Sequence, residues 1–454
     1  MLKSVKWTIL LPAVVGVCGS FAAGQLIRRH FSGPNASPLR FTSSNAGAGT
    51  GILGFNQQQD DSAPVEVFKD VLGKIRGEYV DRVDDEKKLG FGAVKTMLAS
   101  LDDSKTRFLE PTQRKVFIDQ LNGKYAGIGA AVAVVKQKRN EIDQRRLAIV
   151  APLPGSPAEK AGLEPGDFIT EIDGHWVIAY DPRLDLDKLH PASTDDKEFR
   201  AALKTAVTKL TDGVSLQKAL DQLAGKPGKT LKLTIERAGM TSPQKIEVAT
   251  DGVKLEPVEF KMLNDRVAYL RVTQFNDAAT RSIATSLSGT SAKSIVLDLR
   301  NNFGGAVTKV DAGAYGCALT LLSKFTLTGT IGALVRNGNK QEPISIKSEG
   351  TPKYKVAVLV NGGTANLAEL VASALKVRSK AAVIGSNTFG DAIFQKLVSL
   401  NDGAAMTIAS GKMLGPDGLD FSGKGVQPDV TVKTFKPASV DAAVTKAVSE
   451  LGKA

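Results

Sequence analysis

Asn366 and Asp391 are polar residues set in turns that contain glycine, a kind of position from which a side chain can take part in chemistry. Asn366 lies where a buried strand, 356–360, passes through such a turn into a helix predicted for 365–375. Asp391 follows 25 residues later. A carboxylate can accept a proton, but a primary amide has no activated lone pair to attack a peptide carbonyl. The pair therefore offers a proton acceptor without a nucleophile.

The surrounding segments resemble those of the carboxyl-terminal processing peptidases, the tail-specific proteases of serine peptidase family S41. Val358-Leu-Val-Asn-Gly-Gly-Thr-Ala-Asn-Leu-Ala-Glu369 resembles the nucleophile segment, and Thr388-Phe-Gly-Asp391 resembles the segment that bears the base. The family usually has a serine as nucleophile and a lysine as general base. By this resemblance Asn366 stands at the nucleophile position and Asp391 at the base position, with the family's spacing kept.

Two further parts of the family's site have counterparts. Arg300-Asn-Asn-Phe-Gly-Gly305 resembles the turn near the oxyanion, with Phe303 in place of a proline, and this implies that Gly304 and Gly305 belong to that turn. Gln395 occupies the family's supporting glutamine position. Strands alternating with helices predict an α/β core. The resemblance implies a crotonase-like (ClpP-like) peptidase fold and no cofactor.

Loss of both dyad partners predicts loss of catalysis. Removing the serine or histidine of a serine-protease triad costs a factor of about 10⁶ in turnover. We expect Asn366 and Asp391 to hydrogen-bond each other instead, since an amide N–H is a good donor to a carboxylate. The alternative is a relocated dyad. Its candidates are Thr364 and Ser373 as nucleophiles and Lys396 and Lys412 as bases.

A second module precedes this core and is similar to a PDZ domain of the protease-associated type. The resemblance rests on Tyr125-Ala-Gly-Ile-Gly-Ala130, on the run from Pro154 to Asp167, and on Ile172-Asp-Gly174. PDZ domains add an extended peptide to a sheet edge and hold its terminal carboxylate on backbone N–H groups. By analogy the binding segment comprises Tyr125, Ala126, Gly127, Ile128, Gly129 and Ala130.

Composition and periodicity divide the chain into six parts. Polar, glycine-rich sequence predicts a flexible linker, and helical spacing of apolar residues predicts a helical region after it. A charged insertion near 178–213 is best explained as a solvated loop with some helix. The predicted parts are a signal peptide or anchor (1–31), a linker (32–64), a helical region (65–118), a PDZ domain (119–250), a peptidase-like core (251–435) and a C-terminal helix (436–454).

The N-terminus predicts export. Lys3 and Lys6 precede the apolar run 7–26, with small residues near Ala22 and Ala23, the layout of a secretory signal, although the run is also long enough for a membrane anchor. We therefore expect a periplasmic or cell-envelope protein that touches a membrane only through this segment.

Charge and cysteine content exclude other classes. The net charge is +12, but the basic residues are scattered and aromatic residues make up only 6%, so nucleic-acid binding is not expected. The two cysteines and three histidines form no metal-ligand spacing.

Three functions remain open. The chain is an inactive peptidase homologue that binds polypeptide C-termini or unfolded exported proteins, in partnership with an active protease or envelope complex. Alternatively it is an active serine-type endopeptidase with a relocated nucleophile, or a structural subunit of an envelope complex.

Overall fold

A computed structural model describes residues 63–81, 83, 85–139, 141–188, 197–305, 313–325, 328–348, 354–432 and 441–453. The predicted signal or anchor segment and nearly all of the predicted linker lie outside these ranges. Helix α1 (Ala63–Glu78) belongs to an N-terminal unit that ends at Val83, and the rest of the chain forms a second compact unit. Across the described ranges no helix combines the length and apolarity needed to cross a bilayer.

The chain is a mixed α/β protein, as predicted. The remaining helices are α2 (Glu86–Ala99), α3 (Pro111–Leu121), α4 (Pro157–Lys160), α5 (Lys197–Thr211), α6 (Leu216–Leu223), α7 (Asp277–Ser288), α8 (Gly313–Ser323), α9 (Leu367–Arg378) and α10 (Ala442–Lys453). The strands are β1 (Arg107–Leu109), β2 (Lys124–Tyr125), β3 (Ala130–Arg139), β4 (Ile142–Pro152), β5 (Phe168–Ile172), β6 (His175–Trp176), β7 (Thr230–Glu236), β8 (Gln244–Ala249), β9 (Val253–Lys254), β10 (Val258–Met262), β11 (Val267–Val272), β12 (Ser294–Asp298), β13 (Gly329–Val335), β14 (Gln341–Ile346), β15 (Lys355–Val360), β16 (Ala382–Gly385), β17 (Ile393–Ser399), β18 (Ala405–Leu414) and β19 (Val430–Thr431).

The predicted PDZ region forms an antiparallel sheet in the order β3–β4–β5–β7–β8, with β6 beside β5. Alternate residues of β7 are buried, which is the pattern of a strand with one face on a core. Helix α6 buries Ala219 and Leu223 in the same core. Strand β3 lies at the edge of the sheet, with β4 as its one sheet neighbour.

The charged insertion contains more regular structure than a solvated loop. A short 3₁₀ segment, Pro182–Lys188, precedes α5, which spans 15 residues. Ala206 is buried, whereas Leu203 and Val207 on the same helix remain exposed. Helix formation here follows from a run of good helix formers rather than from deep packing.

The core is built on a six-stranded sheet in the order β10–β11–β12–β15–β16–β19. All its pairs are parallel except β10 with β11. Helices α7, α8 and α9 cover one face and α10 covers the other. Because both faces of the sheet are buried, burial does not alternate along β11, and residues 356–360 of β15 form a continuous apolar run.

A second sheet of the core contains β1, β18, β13 and β14, with β17 also paired to β18. Strand β1 comes from the segment between α2 and α3, and its three residues pair antiparallel with residues 405–407 of β18. The residues that precede β1 are therefore brought to the edge of the core.

Candidate functional site

Three turns meet at the carboxyl edge of the parallel sheet. They follow β12, β15 and β16 and carry the segments 299–305, 361–366 and 386–391. Since neighbouring parallel strands end at the same edge, residues far apart in sequence come together there, as they do in other open α/β sheets. This edge is the candidate site.

Asn366 occupies a strand-to-helix turn with a strained backbone. Its φ is 56° and its ψ is −122°, and it is the N-cap of α9. Asparagine is one of the few residues other than glycine that adopt positive φ readily. Its backbone N–H donates to Glu369 Oε2 at 2.9 Å, and its side chain caps the helix in return. A sharp turn of this kind presents the nucleophile in many hydrolases.

The Asn366 amide binds backbone carbonyls rather than the Asp391 carboxylate. Its Nδ2 donates to Ile393 O at 2.7 Å and makes a longer contact of 3.4 Å with Asp391 O. The prediction that the Asn366 amide donates to the Asp391 carboxylate was therefore wrong. The amide donates instead to the backbone carbonyls of Asp391 and Ile393, and the Asp391 carboxylate has another partner.

That partner is Lys105, from the segment before β1. Lys105 Nζ donates to Asp391 Oδ2 at 2.6 Å, across 286 residues of sequence. The lysine side chain is 28% exposed and the aspartate side chain 12%. A cation thus stands beside the predicted base position, but it comes from a different element. Sequence reasoning missed it, because no local pattern relates Lys105 to the turn after β16.

Gln395 supports Lys105 rather than either dyad position. Its Nε2 donates to the backbone carbonyl of Lys105 at 2.6 Å, and Thr407 Oγ1 donates to the same oxygen at 2.7 Å. The two donors fix the main chain from which the lysine reaches Asp391. The predicted supporting residue is therefore part of the site, with a role in holding the incoming segment.

Glu369 ties the turn after β15 to the turn after β16. Its carboxylate is fully buried and accepts from Asn366 N, Gly390 N and Asp391 N, and from Thr388 Oγ1. Burial raises the pKa of Glu369 to about 7, although the four donors act in the opposite direction. One buried side chain thus sets the separation of Asn366 and Asp391.

Of the two glycines after β12, Gly304 comes close to Asn366, whereas Gly305 lies against Ala314 of α8. Gly304 has a φ of 78°, and a Cβ there would lie 2.7 Å from Asn366 Cβ and 2.9 Å from Leu367 N. The N–H of Leu367 is at the start of α9 and has no partner within the helix. The Gly304 N–H, however, donates to Asn302 Oδ1 at 2.9 Å. Gly305 (φ 159°) is the last residue described in this turn.

The candidates for a relocated dyad have structural partners. Thr364 Oγ1 is buried, donates to Leu299 O at 2.9 Å and accepts from Asn361 N at 3.0 Å. Ser373 Oγ is buried inside α9 and donates to Leu370 O. These hydroxyls maintain the fold of the turn and the helix.

Lys396 and Lys412, the candidate bases of a relocated dyad, do not support such a dyad either. Lys412 Nζ is paired with Asp420 at 2.7 Å, on the exposed side of β18. Lys396 lies on β17 next to Gln395, and neighbouring residues of a strand face opposite sides. Neither lysine makes a contact with Asn366 in the described structure.

The predicted peptide-binding segment, 125–130, is packed against the PDZ core and the end of α6. Tyr125 and Ile128 have buried side chains, and Gly127 and Gly129 are buried as well. Ile128 N donates to Leu223 O at 2.9 Å. Ala126 and Ala130 are partly exposed. Within this segment the N–H of Ile128 and the carbonyls of Gly127, Ile128 and Gly129 already have backbone partners.

Tyr125 also connects this segment with the oxyanion turn. Its ring lies edge-on to that of Phe303, with centroids 6.2 Å apart. Leu153 and Leu255 complete the same small apolar cluster. Burial raises the pKa of the Tyr125 hydroxyl well above its usual range. The residue that replaces the family's proline is thus a contact between the PDZ region and the core.

Comparison with known proteins identifies both modules. The model of peptidase family S41 matches residues 266–432, and a PDZ-domain model matches residues 149–186. A carboxyl-terminal-processing protease of Synechocystis sp. is 30% identical over 366 residues, which cover 79% of this chain and 74% of that protein. A carboxy-terminal-processing protease of Bartonella bacilliformis is 28% identical over 393 residues, or 84% of this chain and 78% of the other.

The chain belongs to peptidase family S41. The solved structure of a photosystem II D1 C-terminal processing protease has the same fold, with a TM-score of 0.59 and 23% identity over 85% of this chain and 90% of the other. Measured against the S41 motifs, this member carries an amide and a carboxylate where the resemblance places serine and lysine. The amide donates to the Ile393 carbonyl, and the carboxylate is bound by the Lys105 ammonium.

Proposed function

We propose that this protein is a catalytically silent S41 homologue that binds the C-terminal ends of polypeptides through its PDZ domain. The observation that carries the proposal is Asn366, which stands at the tip of the strained turn and donates its amide to Ile393 O. An amide in this place cannot form an acyl-enzyme. The fold and the PDZ module persist around it.

The proposed lack of catalysis follows from Asn366, Asp391 and Lys105 together rather than from one residue. Asp391 is bound to the Lys105 ammonium, so the carboxylate at the predicted base position is already paired with a cation. Asn366 has no hydroxyl or thiol proton for a base to remove. Without a nucleophile, only binding and oxyanion stabilisation remain, and these give about 10³–10⁴ over water in serine proteases.

Peptide binding is supported by one edge of β3 that pairs with no other strand among the described residues. An extended peptide can add to β3, whose other edge already pairs with β4. The peptide carboxylate would reach the backbone at Gly127–Gly129 and take over the Ile128 N–H from Leu223 O. Binding in this mode therefore includes a small displacement of the end of α6. A charge-assisted bond to the carboxylate replaces a neutral one.

The proposal includes a location and a class of partner. The apolar run 7–26, preceded by lysines, supports export to the periplasm or cell envelope. There the protein would hold the tails of exported or unfolded polypeptides, alone or for an active protease or an envelope complex.

Two measurements test the proposal. Purified protein should leave an unfolded substrate such as casein intact over hours. A fluorescent peptide with a small apolar C-terminus should bind, and the same peptide with an amidated C-terminus should bind at least about tenfold more weakly, since a buried charge-assisted bond is lost. Turnover that survives Asn366→Ala would instead establish a relocated nucleophile. Equal or absent binding of both peptides would favour a purely structural subunit.

A further inference from the structure

The outer half of β3 is already occupied by a segment of the same chain. Residues 102–105, here called the strap, run beside Val134 and Lys136. Ser104 Oγ donates to Val134 O at 3.3 Å. Lys136 Nζ donates to Asp102 O at 2.5 Å and forms an ion pair with its carboxylate. A peptide that extends along β3 therefore meets the strap.

The strap places one carboxylate between two cations. Lys136 of β3 and Arg145 of β4 are directly opposite each other in the antiparallel register. Like charges in that arrangement repel and destabilise the strand pair unless an anion lies between them. Asp102 forms ion pairs with both. All three side chains retain contact with solvent, so another carboxylate can reach the same cations.

The register of β3 sets where a peptide would present such a carboxylate. A peptide bound antiparallel with its last residue opposite Ala130 has the residue about six positions earlier opposite Lys136. Residues directly opposite each other in a strand pair share a face. Ala130, Val132 and Val134 pack towards the PDZ core, and Lys136 continues the same face. The side chain at that peptide position thus points at the two cations.

We propose that Asp102 is an internal stand-in for an acidic residue of the bound peptide. The PDZ domain then selects polypeptides that carry an aspartate or glutamate about six residues before a small apolar C-terminus. This inference rests on the proposed peptide-binding function and names the chemistry of its ligand. Short tails bind inside the strap, and longer acidic tails displace it.

The other end of the strap explains why displacement is local. Lys105 is held by Asp391, and its carbonyl accepts from Gln395 and Thr407. Thr106 Oγ1 accepts from Ala409 N at 3.0 Å. These contacts anchor the strap to the core, whereas Asp102 and Ser104 hold to the PDZ sheet by surface contacts. A peptide competes with the weaker end.

The test compares three peptides on the full chain by fluorescence anisotropy. Two twelve-residue peptides share a small apolar C-terminus and differ only in having aspartate or lysine at the sixth position before the last residue. The third is a four-residue tail. Asp102→Asn keeps the size of the side chain and tolerates the φ of 53° at this position. It should bind the aspartate peptide about three- to tenfold more tightly than wild type, and the four-residue tail equally.

Controls separate this inference from the proposed function. Asp265→Asn removes one exposed negative charge from the turn between β10 and β11 and should leave all three affinities unchanged. Lys136→Met leaves Arg145 in place and should therefore weaken the preference for aspartate over lysine, and high salt should reduce the preference in wild type. If the short tail binds but Asp102→Asn does not alter binding of the aspartate peptide, the inference is overturned alone. If no peptide binds any variant, the proposed function fails with it.

Discussion

At the scale of single residues, Asn366 combines the backbone geometry of a reactive turn with a side chain that has no nucleophilic atom. A residue with φ of 56° and ψ of −122° costs about 1–3 kcal/mol of strain. That cost is retained because Glu369 and Gly304 hold the turn from both sides. The backbone is thus maintained by packing requirements that do not depend on catalysis.

Asn366→Ser alone should remain inactive. The new hydroxyl would face a base position whose carboxylate is already bound by Lys105. Hydrolysis of a fluorogenic peptide should stay at the buffer rate.

Adding Asp391→Lys should create a base. The introduced ammonium would lie in a largely buried place beside Lys105, and both burial and the like charge lower a lysine pKa. Cleavage by the double variant at least about 10³-fold above the single variant is expected. Equal activity of the two variants would contradict the expectation that burial and Lys105 make the introduced lysine a base.

Glu369 predicts a particular dependence of stability on pH. Its pKa rises from 4.5 in the unfolded chain to about 7 in the folded protein, so the folded state binds its proton more tightly. The contribution of Glu369 to stability should therefore be greatest below pH 4.5 and fall by about 3 kcal/mol as pH rises through 7. Urea unfolding midpoints across this range should show a flatter profile for Glu369→Gln. The exposed Glu259→Gln should keep the wild-type profile.

At the scale of elements, the site depends on how closely the three turns approach. Gly304 and Gly418 offer a matched comparison, because both have a φ of 78°. A Cβ on Gly304 meets Asn366 and Leu367, whereas a Cβ on Gly418 meets nothing within 4 Å. An alanine therefore meets the same unfavourable φ at the two positions, but a steric contact at Gly304 alone of the two.

Gly304→Ala should consequently destabilise the protein by about 1–3 kcal/mol more than Gly418→Ala. Thermal unfolding of the two variants measures the difference directly. Similar melting temperatures for both would show that the turns can move apart at little cost.

The sequence predicted the elements that local pattern determines. The apolar runs of β12 and β15, the glycine turns and the start of α9 all follow from neighbouring residues. The family could be inferred from local motifs in the same way. The partners of Asp391 and Asn366 did not follow. Lys105 reaches Asp391 across 286 residues, and the Ile393 carbonyl position depends on how the chain turns after Gly390. Such contacts are set by tertiary packing, which leaves no periodic signal in the sequence.

At the scale of the molecule, α10 is attached to the sheet by a buried charge cluster. Arg300 is fully buried, binds Asp298 through two nitrogens and also binds Asp441, just before α10. Tyr269 donates to the same Asp298. The two carboxylates raise the pKa of Arg300, so it stays charged. The cluster fastens the last helix over the face of the sheet opposite α9.

Arg300→Met should therefore destabilise the protein by about 3–5 kcal/mol, because it leaves Asp298 buried without its cation. Arg378→Met removes an exposed pair with Asp417 and should cost no more than about 1 kcal/mol. Urea titrations followed by circular dichroism compare the two. A small effect at Arg300 would mean that Asp298 becomes protonated or hydrated.

The contact between Tyr125 and Phe303 has an evolutionary consequence. In the motif that the family usually carries, a proline stands at the position of Phe303, and a proline ring would fix the backbone φ of the turn by itself. Here an aromatic side chain from the PDZ region supports the same position from outside. The two positions are no longer independent under mutation. Among relatives that share the phenylalanine we expect an aromatic residue at the tyrosine position, and among those with proline we expect freedom there.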